Sequence, residues 1–566
     1  MARDATRRGS AGMARPGRAP KPALTPGMTR GGGPDATQTA TTKPATVTVP
    51  VGVDRGVTGD DATGRRQVGT VDRILASFRP HVDVRDEATG LFRAVPLDRV
   101  RTMVAWAWRL YALIALVTVW SSLERNIGPG REPAFGRFHA ADFGGFYTGA
   151  TIAHRGNYEN LGNRQVQQAT QQGIQQAEGT GWRWFNPLPH PPILSLATSP
   201  IARLPIRTAY WVWVAATIVA AGMAAYLLGR AMTPAVPLAT TAVLVTFEPL
   251  WHLIWWGQVD AFILLPFAAG CALLVRSRSR DDDILAGAMM GVIALIPQYA
   301  IVPFLALALG RRWAAAGMAA SAGALALGSA LLVGRTGVDH YLDMARYFGA
   351  FSGTATVTEW AMFNIRGVLL RQYPGLTPDT GRMLVYGVSI GLGALAVAAA
   401  ARALRPGRAP DLALGLVSLA SLVTSYHTHR QTMVFLFVLF AALAGRALRP
   451  GVSLPMALVW LAPVIGYHFA ADALRDAPYA YTFYPIQRYL TPPAILALVI
   501  LAAALLVPWA SRRLWWSGGD ALAAGAGGVG RRKTGDGGRW TGDETGRSLR
   551  WGDEVDRGRR DDAATV

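Results

Sequence analysis

Apolar stretches of 17 to 25 residues, each about long enough to cross a bilayer as a helix, recur from residue 102 to residue 511. A chain built this way has few options, because lipid offers no partner for a backbone N–H or C=O and only helices or closed barrels satisfy those groups internally. The stretches fall near 102–122, 208–229, 236–255, 260–276, 313–334, 382–403, 409–425, 431–447, 452–469 and 491–511. They predict an all-α polytopic membrane protein of about ten to twelve transmembrane helices.

One further apolar run, 284–309, is broken by Pro297 and flanked on both sides by arginine, in "RSRSR" and "GRRW". If both flanks face the cytoplasm, this run is a re-entrant pair of half-helices. With the N-terminus inside, the other arginine-rich loops, around Arg230, at 402–408, in "GRALRP" and at 511–515, also fall on the cytoplasmic side, as the positive-inside rule expects. The same alternation sends the loop 123–207, the turn "WWGQVD" at 255–260, "SYHTHRQ" at 425–431 and the loops 335–381 and 470–490 to the outer face. Within the first of these, "NRQVQQATQQGIQQAE" reads as a polar helix, and "FNPLPHPPILSLATSPIARLP" starts extended, its apolar later half lying along the membrane surface.

The formal net charge of +20 on 566 residues raises nucleic acid as a partner, but the chain is 51% hydrophobic and only 16% charged. Its arginines sit in the two polar tails and in the short loops, a distribution that fits membrane lipid headgroups and topology control and excludes a nucleic-acid binder. Residues 1–100 and 514–566 read as disordered cytoplasmic tails around a membrane domain at 101–513, with no cleavable signal peptide. The single cysteine, Cys271, lies in an apolar run and allows neither an intramolecular disulfide nor a cysteine zinc cluster.

Polar residues at the outer face are the candidates for chemistry. Asp142, in "HAADFGGFYTG", is a carboxylate able to take a proton from an attacking hydroxyl; the competing reading is a cap for the helix that follows. His427 and His429, with Arg430, suit a phosphate diester and the charge that grows on it as it leaves. Interfacial snorkelling is the blander account of the three. Two histidines at i, i+2 do not share a helix face, so no metal site is expected. Glu248, with His252, Gln258 and Asp260 nearby, is an acidic group among apolar ones and shapes either a substrate pocket or a structural hydrogen-bond network. Arg366 and Arg371 are phosphate ligands or solvated loop charges. Phosphate-cradling, dinucleotide and zinc-protease motifs are missing, which favours a donor already resident in the membrane and no cofactor.

These marks, in chain order "ADFGGFYTGATIAHRGNYE", "NPLPHPPILSLATSPIARLP", "FEPLWHLIWWGQVDAFILL", "LAGAMMGVIALIPQYAIVPFLALALGRRW", "FNIRGVLLR" and "TSYHTHRQTMVFL", resemble glycosyltransferase family 87 across about residues 100–515. That family comprises polyprenyl-phosphate-mannose-dependent mannosyltransferases of the GT-C class. The resemblance implies a GT-C-like bundle, a polyprenyl-phosphate sugar donor and a glycolipid or glycan acceptor. It places Asp142 on the family's catalytic aspartate, and His427 and His429 in its outer-face histidine motif. Asp142 would then act as general base in one inverting step, His427, His429 and Arg430 would hold the leaving phosphate, and Gln258 with Glu248 would position sugar hydroxyls. The chain departs from the family at Ile296, where lysine is frequent, at Asp260, where asparagine is common, and after Ser425, where a proline is usual. A transporter or lipid flippase is the alternative from another class, and a GT-C enzyme using another lipid-linked sugar is the nearer one.

Overall fold

The structure is a computed structural model that describes residues 97–127, 141–180, 185–349, 362–373, 378–405, 408–450, 452–473 and 479–506. All of them belong to the second of two units, which divide after Ala88. Almost all of both expected tails, and the loop segments 350–361 and 474–478, lie outside the described residues.

Every regular element among the described residues is a helix, as the apolar runs required. In chain order they are α1 (Leu97–Ile127), α2 (Ala141–His154), α3 (Arg164–Glu178), α4 (Pro192–Thr198), α5 (Ile206–Met232), α6 (Pro237–Val245), α7 (Glu248–Trp256), α8 (Asp260–Arg276) and α9 (Arg280–Met290). The order continues with α10 (Pro297–Gly310), α11 (Arg312–Gly349), α12 (Ile365–Gln372), α13 (Pro378–Leu404), α14 (Pro410–Thr424), α15 (Leu436–Ala447), α16 (Leu454–Ala473) and α17 (Tyr479–Leu506).

By length and composition five helical segments are able to cross a membrane: Arg99–Thr118, Ile206–Met232, Arg312–Tyr347, Asp379–Leu404 and Arg430–Ala447. The pair α6 and α7 adds a sixth if counted as one broken span, and the apolar helices Pro297–Gly310, Pro410–Thr424, Leu454–His468 and Thr491–Leu506 are shorter. Several apolar runs therefore fold as interrupted helices. The run 236–255 bends by 53° between α6 and α7, where Phe247 is extended and Pro249 in the next turn has no N–H to continue the helix. The run 313–334 ends at Gly334, whose φ of 65° and ψ of −174° break α11. Beyond that break α11 packs against the turn Tyr158–Asn160, with His340 Nδ1 3.0 Å from Glu159 O.

The run 284–309 is a pair of half-helices. A 3-10 turn, Gly291–Leu295, follows α9, and Ile296 (φ −125°, ψ 82°) precedes Pro297 at the start of α10. The two ends meet: Arg311 Nη1 lies 3.1 Å from Asp283 Oδ1, and Arg311 Nε donates to Leu404 O at 2.8 Å. The run goes out and returns, so both arginine-rich flanks are at the same end of the bundle. Close approach of α9 to α11 is what lets the hairpin pack: a Cβ on Gly287 would collide with Ala314 O, and one on Gly317 with Ile284 O.

The bundle has a dry centre and an apolar outside. Every residue from Arg430 to Leu448 is buried, whereas α1 turns Met103, Trp106, Leu110, Leu113 and Val117 outward, and α5 exposes Trp211, Val219 and Met223. Apolar side chains on the outer faces of helices this long are lipid-facing surface.

The candidate active site

Asp142 sits in the first turn of α2, which is seated by aromatic packing: Phe143 meets Tyr210 and Trp213 at 5.5 and 5.7 Å, and Phe146 stacks on Trp213 at 5.5 Å. The helix comes to rest on Gly257, the left-handed residue (φ 71°) that ends α7, where any Cβ would collide with Phe143. That contact brings the next residue, Gln258, to the carboxylate. Gln258 Nε2 donates to Asp142 Oδ2, and Asn186 Nδ2 donates to Oδ1 at 2.6 Å. Asp142 is thus gripped by two neutral amides in the first turn of its helix. Burial pushes its carboxyl up to about 6, against the smaller opposing effect of the Asn186 and Gln258 hydrogen bonds, which favour the charged form.

Asp260, the first residue of α8, extends the polar patch. It is buried, lies within electrostatic reach of Asp142 and hydrogen-bonds to Thr432. Thr432 belongs to the 3-10 turn Arg430–Phe435, so the turn between α7 and α8 joins Asp142 to the segment after the histidines.

Between α14 and that turn the chain leaves helical geometry and is tied down at several points. Thr428 Oγ1 donates to Leu422 O at 2.8 Å, Phe363 N to Thr428 O at 2.7 Å, Asn364 Nδ2 to Ser425 O at 3.0 Å, and Tyr299 Oη to His427 O at 2.7 Å. Tyr299 lies in the first turn of α10, so the tip of the half-helix hairpin holds the histidine loop. His190 also reaches that tip, its Nδ1 3.5 Å from Leu295 O.

The two imidazoles face each other with Nε2 atoms 2.7 Å apart. One of those nitrogens must carry the shared hydrogen and the other accept it. Burial first, then the neighbouring His429 and Arg366, hold His427 well below the usual imidazole range. The cation beside it is Arg366. That guanidinium is fully buried and lies over the Tyr426 ring at 4.2 Å, with Tyr426 stacked on Tyr386 at 5.9 Å. Arg371, on the same helix α12, has its side chain outside the described residues.

Arg430 Nε donates to Glu248 Oε2 at 2.6 Å, and both side chains are buried. Glu248 and Arg430 therefore stand as one ion pair, which neutralises the acid that the apolar run would otherwise leave uncompensated. His252 lies one turn on from Glu248, within electrostatic reach of Arg430 and His429.

Residues 142, 248, 258, 366, 427, 429 and 430, more than 280 positions apart at their extremes, thus surround the α7–α8 turn and the loop before Arg430. Asn186, Tyr299 and Tyr426 complete the patch without having been foreseen as ligands. Asn186 does stand in "NPLPHPP", but nothing in its spacing ties it to a carboxylate 44 residues earlier. Among the described residues, no group of three or more His, Cys, Asp or Glu side chains is placed to hold a metal ion.

No curated protein and no solved structure matches the chain. The model of glycosyltransferase family 87 matches residues 189–426, which include Glu248, Gln258, Asp260, Arg366 and Tyr426, while Asp142 lies upstream and His427 to Arg430 directly downstream. Over that stretch the chain is similar to glycosyltransferase family 87, and it has helices long and apolar enough to cross a bilayer.

Proposed function

We propose that the protein transfers mannose from a polyprenyl-phosphate donor to a glycolipid or glycan acceptor, with the reacting groups on the outer face of the cell membrane. The observation that carries this reading is Asp142: a half-buried carboxylate whose pKa is pushed up to about 6, held by uncharged donors and linked through Asp260 to the turn that follows the histidines. A base with a pKa near the working pH combines a populated carboxylate with a strong pull on the acceptor's proton.

In this mechanism an acceptor hydroxyl gives its proton to Asp142 as its oxygen bonds to the anomeric carbon. The bond from that carbon to the phosphate oxygen breaks with its electron pair, and polyprenyl phosphate leaves with the anomeric configuration inverted. Arg366 supplies the positive charge for the phosphodiester, and His427 and His429 supply hydrogen-bond partners. Gln258 is already bonded to Asp142 and helps align carboxylate and sugar. The Glu248–Arg430 pair contributes shape and hydrogen bonds with no net charge.

The test is transfer of radiolabelled mannose from polyprenyl-phosphate-mannose into the lipid and polymer fractions of membranes carrying wild type or Asp142→Asn. General-base catalysis contributes about a hundredfold or more, so the substitution should cost at least that much. A loss of less than about tenfold would remove Asp142 from the role of base. Mannose-independent transfer from another lipid-linked sugar would keep the mechanism and change the donor.

A further inference from the structure

The glutamine-rich helix α3 has no place in the mechanism so far. Two of its glutamines, Gln167 and Gln171, lie one turn apart and are only 1% and 2% exposed. A buried amide is costly unless it is hydrogen-bonded, and both of these bond to one short stretch of backbone. Gln171 Oε1 accepts from Asn186 N at 3.2 Å, Gln167 Oε1 accepts from Leu188 N at 2.9 Å, and Gln167 Nε2 donates to Leu161 O. Pro187, between them, has no N–H to satisfy.

The opposite side of this stretch is closed by α2. Gly145 and Gly149 are also one turn apart. A Cβ on Gly145 would lie 3.0 Å from Asn186 O, and one on Gly149 2.6 Å from the Leu188 side chain and 2.7 Å from Ser195 Oγ. Residues 186–188 are therefore fixed between two glycines of the helix that carries Asp142 and two glutamines of α3. The side chain that emerges from this clamp is Asn186, whose Nδ2 is on Asp142 Oδ1.

We infer that Gln171, supported by Gln167, is a positioning residue that acts on Asp142 through Asn186. The inference rests on the reading of Asp142 as the base. Neither glutamine touches substrate. They hold the Asn186 backbone so that its amide hydrogen stays on the carboxylate, which fixes the plane of the carboxylate and favours its ionised form. The other ionisable groups facing the helix of Asp142 are Asp260 at the start of α8, Glu248 with its partner Arg430 and His252 on α7, Arg164 and Glu178 on α3, Glu159 and Arg203 in the turns packed on α2, and His190 against Phe146; the substitutions below leave all of them in place.

The experiment combines the pH–rate profile of mannose transfer with an infrared titration of the Asp142 carboxyl, identified by its loss in Asp142→Asn. Asn186→Ala removes a hydrogen bond that favours the carboxylate, and Gln171→Leu releases the backbone of the residue that makes it, so the acidic limb and the titration should both move upward by about half to one pH unit. From a starting pKa of about 6, the loss is then roughly two- to sixfold at pH 6 and small at pH 8. If Gln171→Leu does not fold, Gln171→Ser, too short to reach Asn186 N, takes its place. A rate lowered equally at all pH values, or a titration unmoved in the Gln171 variants, overturns the inference. An Asp142→Asn protein that still transfers mannose overturns the base reading instead, and the infrared titration then judges the clamp alone.

Discussion

Asp142 and Asp411 are both carboxylates set into an apolar bundle, and they are held in opposite ways. Asp411, in the first turn of α14, takes two guanidinium contacts from Arg446, one of them Nε to Oδ2 at 2.9 Å, and a third from Arg449 at 3.1 Å. Asp142 takes two amide hydrogens and, among the described residues, no cation. An arginine partner locks a carboxylate in its charged form, because protonation would strand a buried guanidinium. Amides stabilise the charge only partly, and burial then sets the group near neutrality. The arginine-held aspartate ties α14 to α15, while the amide-held one remains able to exchange a proton.

This contrast breaks or sharpens by substitution. Asp411→Ala should cost about 3–5 kcal/mol of stability, read as a lower denaturation midpoint in detergent, because it leaves Arg446 buried and uncompensated. Transfer per folded molecule should be unchanged; a fall as deep as that of Asp142→Asn would erase the distinction between the two sites. Asp142→Asn should do the reverse, lowering transfer at least about a hundredfold while stability at neutral pH rises. The sign follows from a folded-state pKa of about 6, raised above the ordinary 3.8: the fold favours the protonated acid, so its contribution to stability is lost as pH climbs from about 4 to 6. For catalysis the same shift works the other way. Wild-type transfer should fall toward tenfold per unit as pH drops below about 6, measured at saturating donor. The smallest effect belongs to Arg449→Ala. Its side chain is 45% exposed, and removing it should cost less than about 1 kcal/mol.

Much of the architecture was legible in the sequence because it follows from composition along the chain. The helix Asp260–Arg276 matches its apolar run end for end, the polar helix appears at Arg164–Glu178 with Asn163 as its cap, and Gly173 within it does not break it. The interruption of 284–309 was written in Pro297 and two arginine-rich flanks. The bend at Thr246–Phe247 was not, since the run 236–255 is continuously apolar and the break comes from backbone geometry around Pro249. At the site, residue types could be read but partners could not. Glu248 and Arg430 each looked like a separate ligand, and the 182 positions between them hide the ion pair. The lowered pKa of His427 owes most to burial, with His429 and Arg366 adding to it, and neither the burial nor Arg366 is reported by its neighbours in the sequence. The glutamines of α3 read only as part of a polar helix, and packing reveals that two of them are buried.

The meeting of Asp283 with Arg311 also settles a matter of parity. Asp142, Gln258 and the Arg430 turn gather at one end of the bundle, so the chain must traverse it an even number of times between each pair of them. From residue 142 to 258 the traverses are α5 and the bent pair α6–α7. From 258 to 430 they are α8, the first part of α11, α13 and α14, which is already even. Counted as a single traverse, the apolar run 284–309 would make that total odd and send the histidines to the opposite end from the aspartate. Because the run closes on itself, it adds nothing to the count, and a map of this chain drawn from hydropathy alone keeps its two halves in the same orientation only if that fold-back is drawn in.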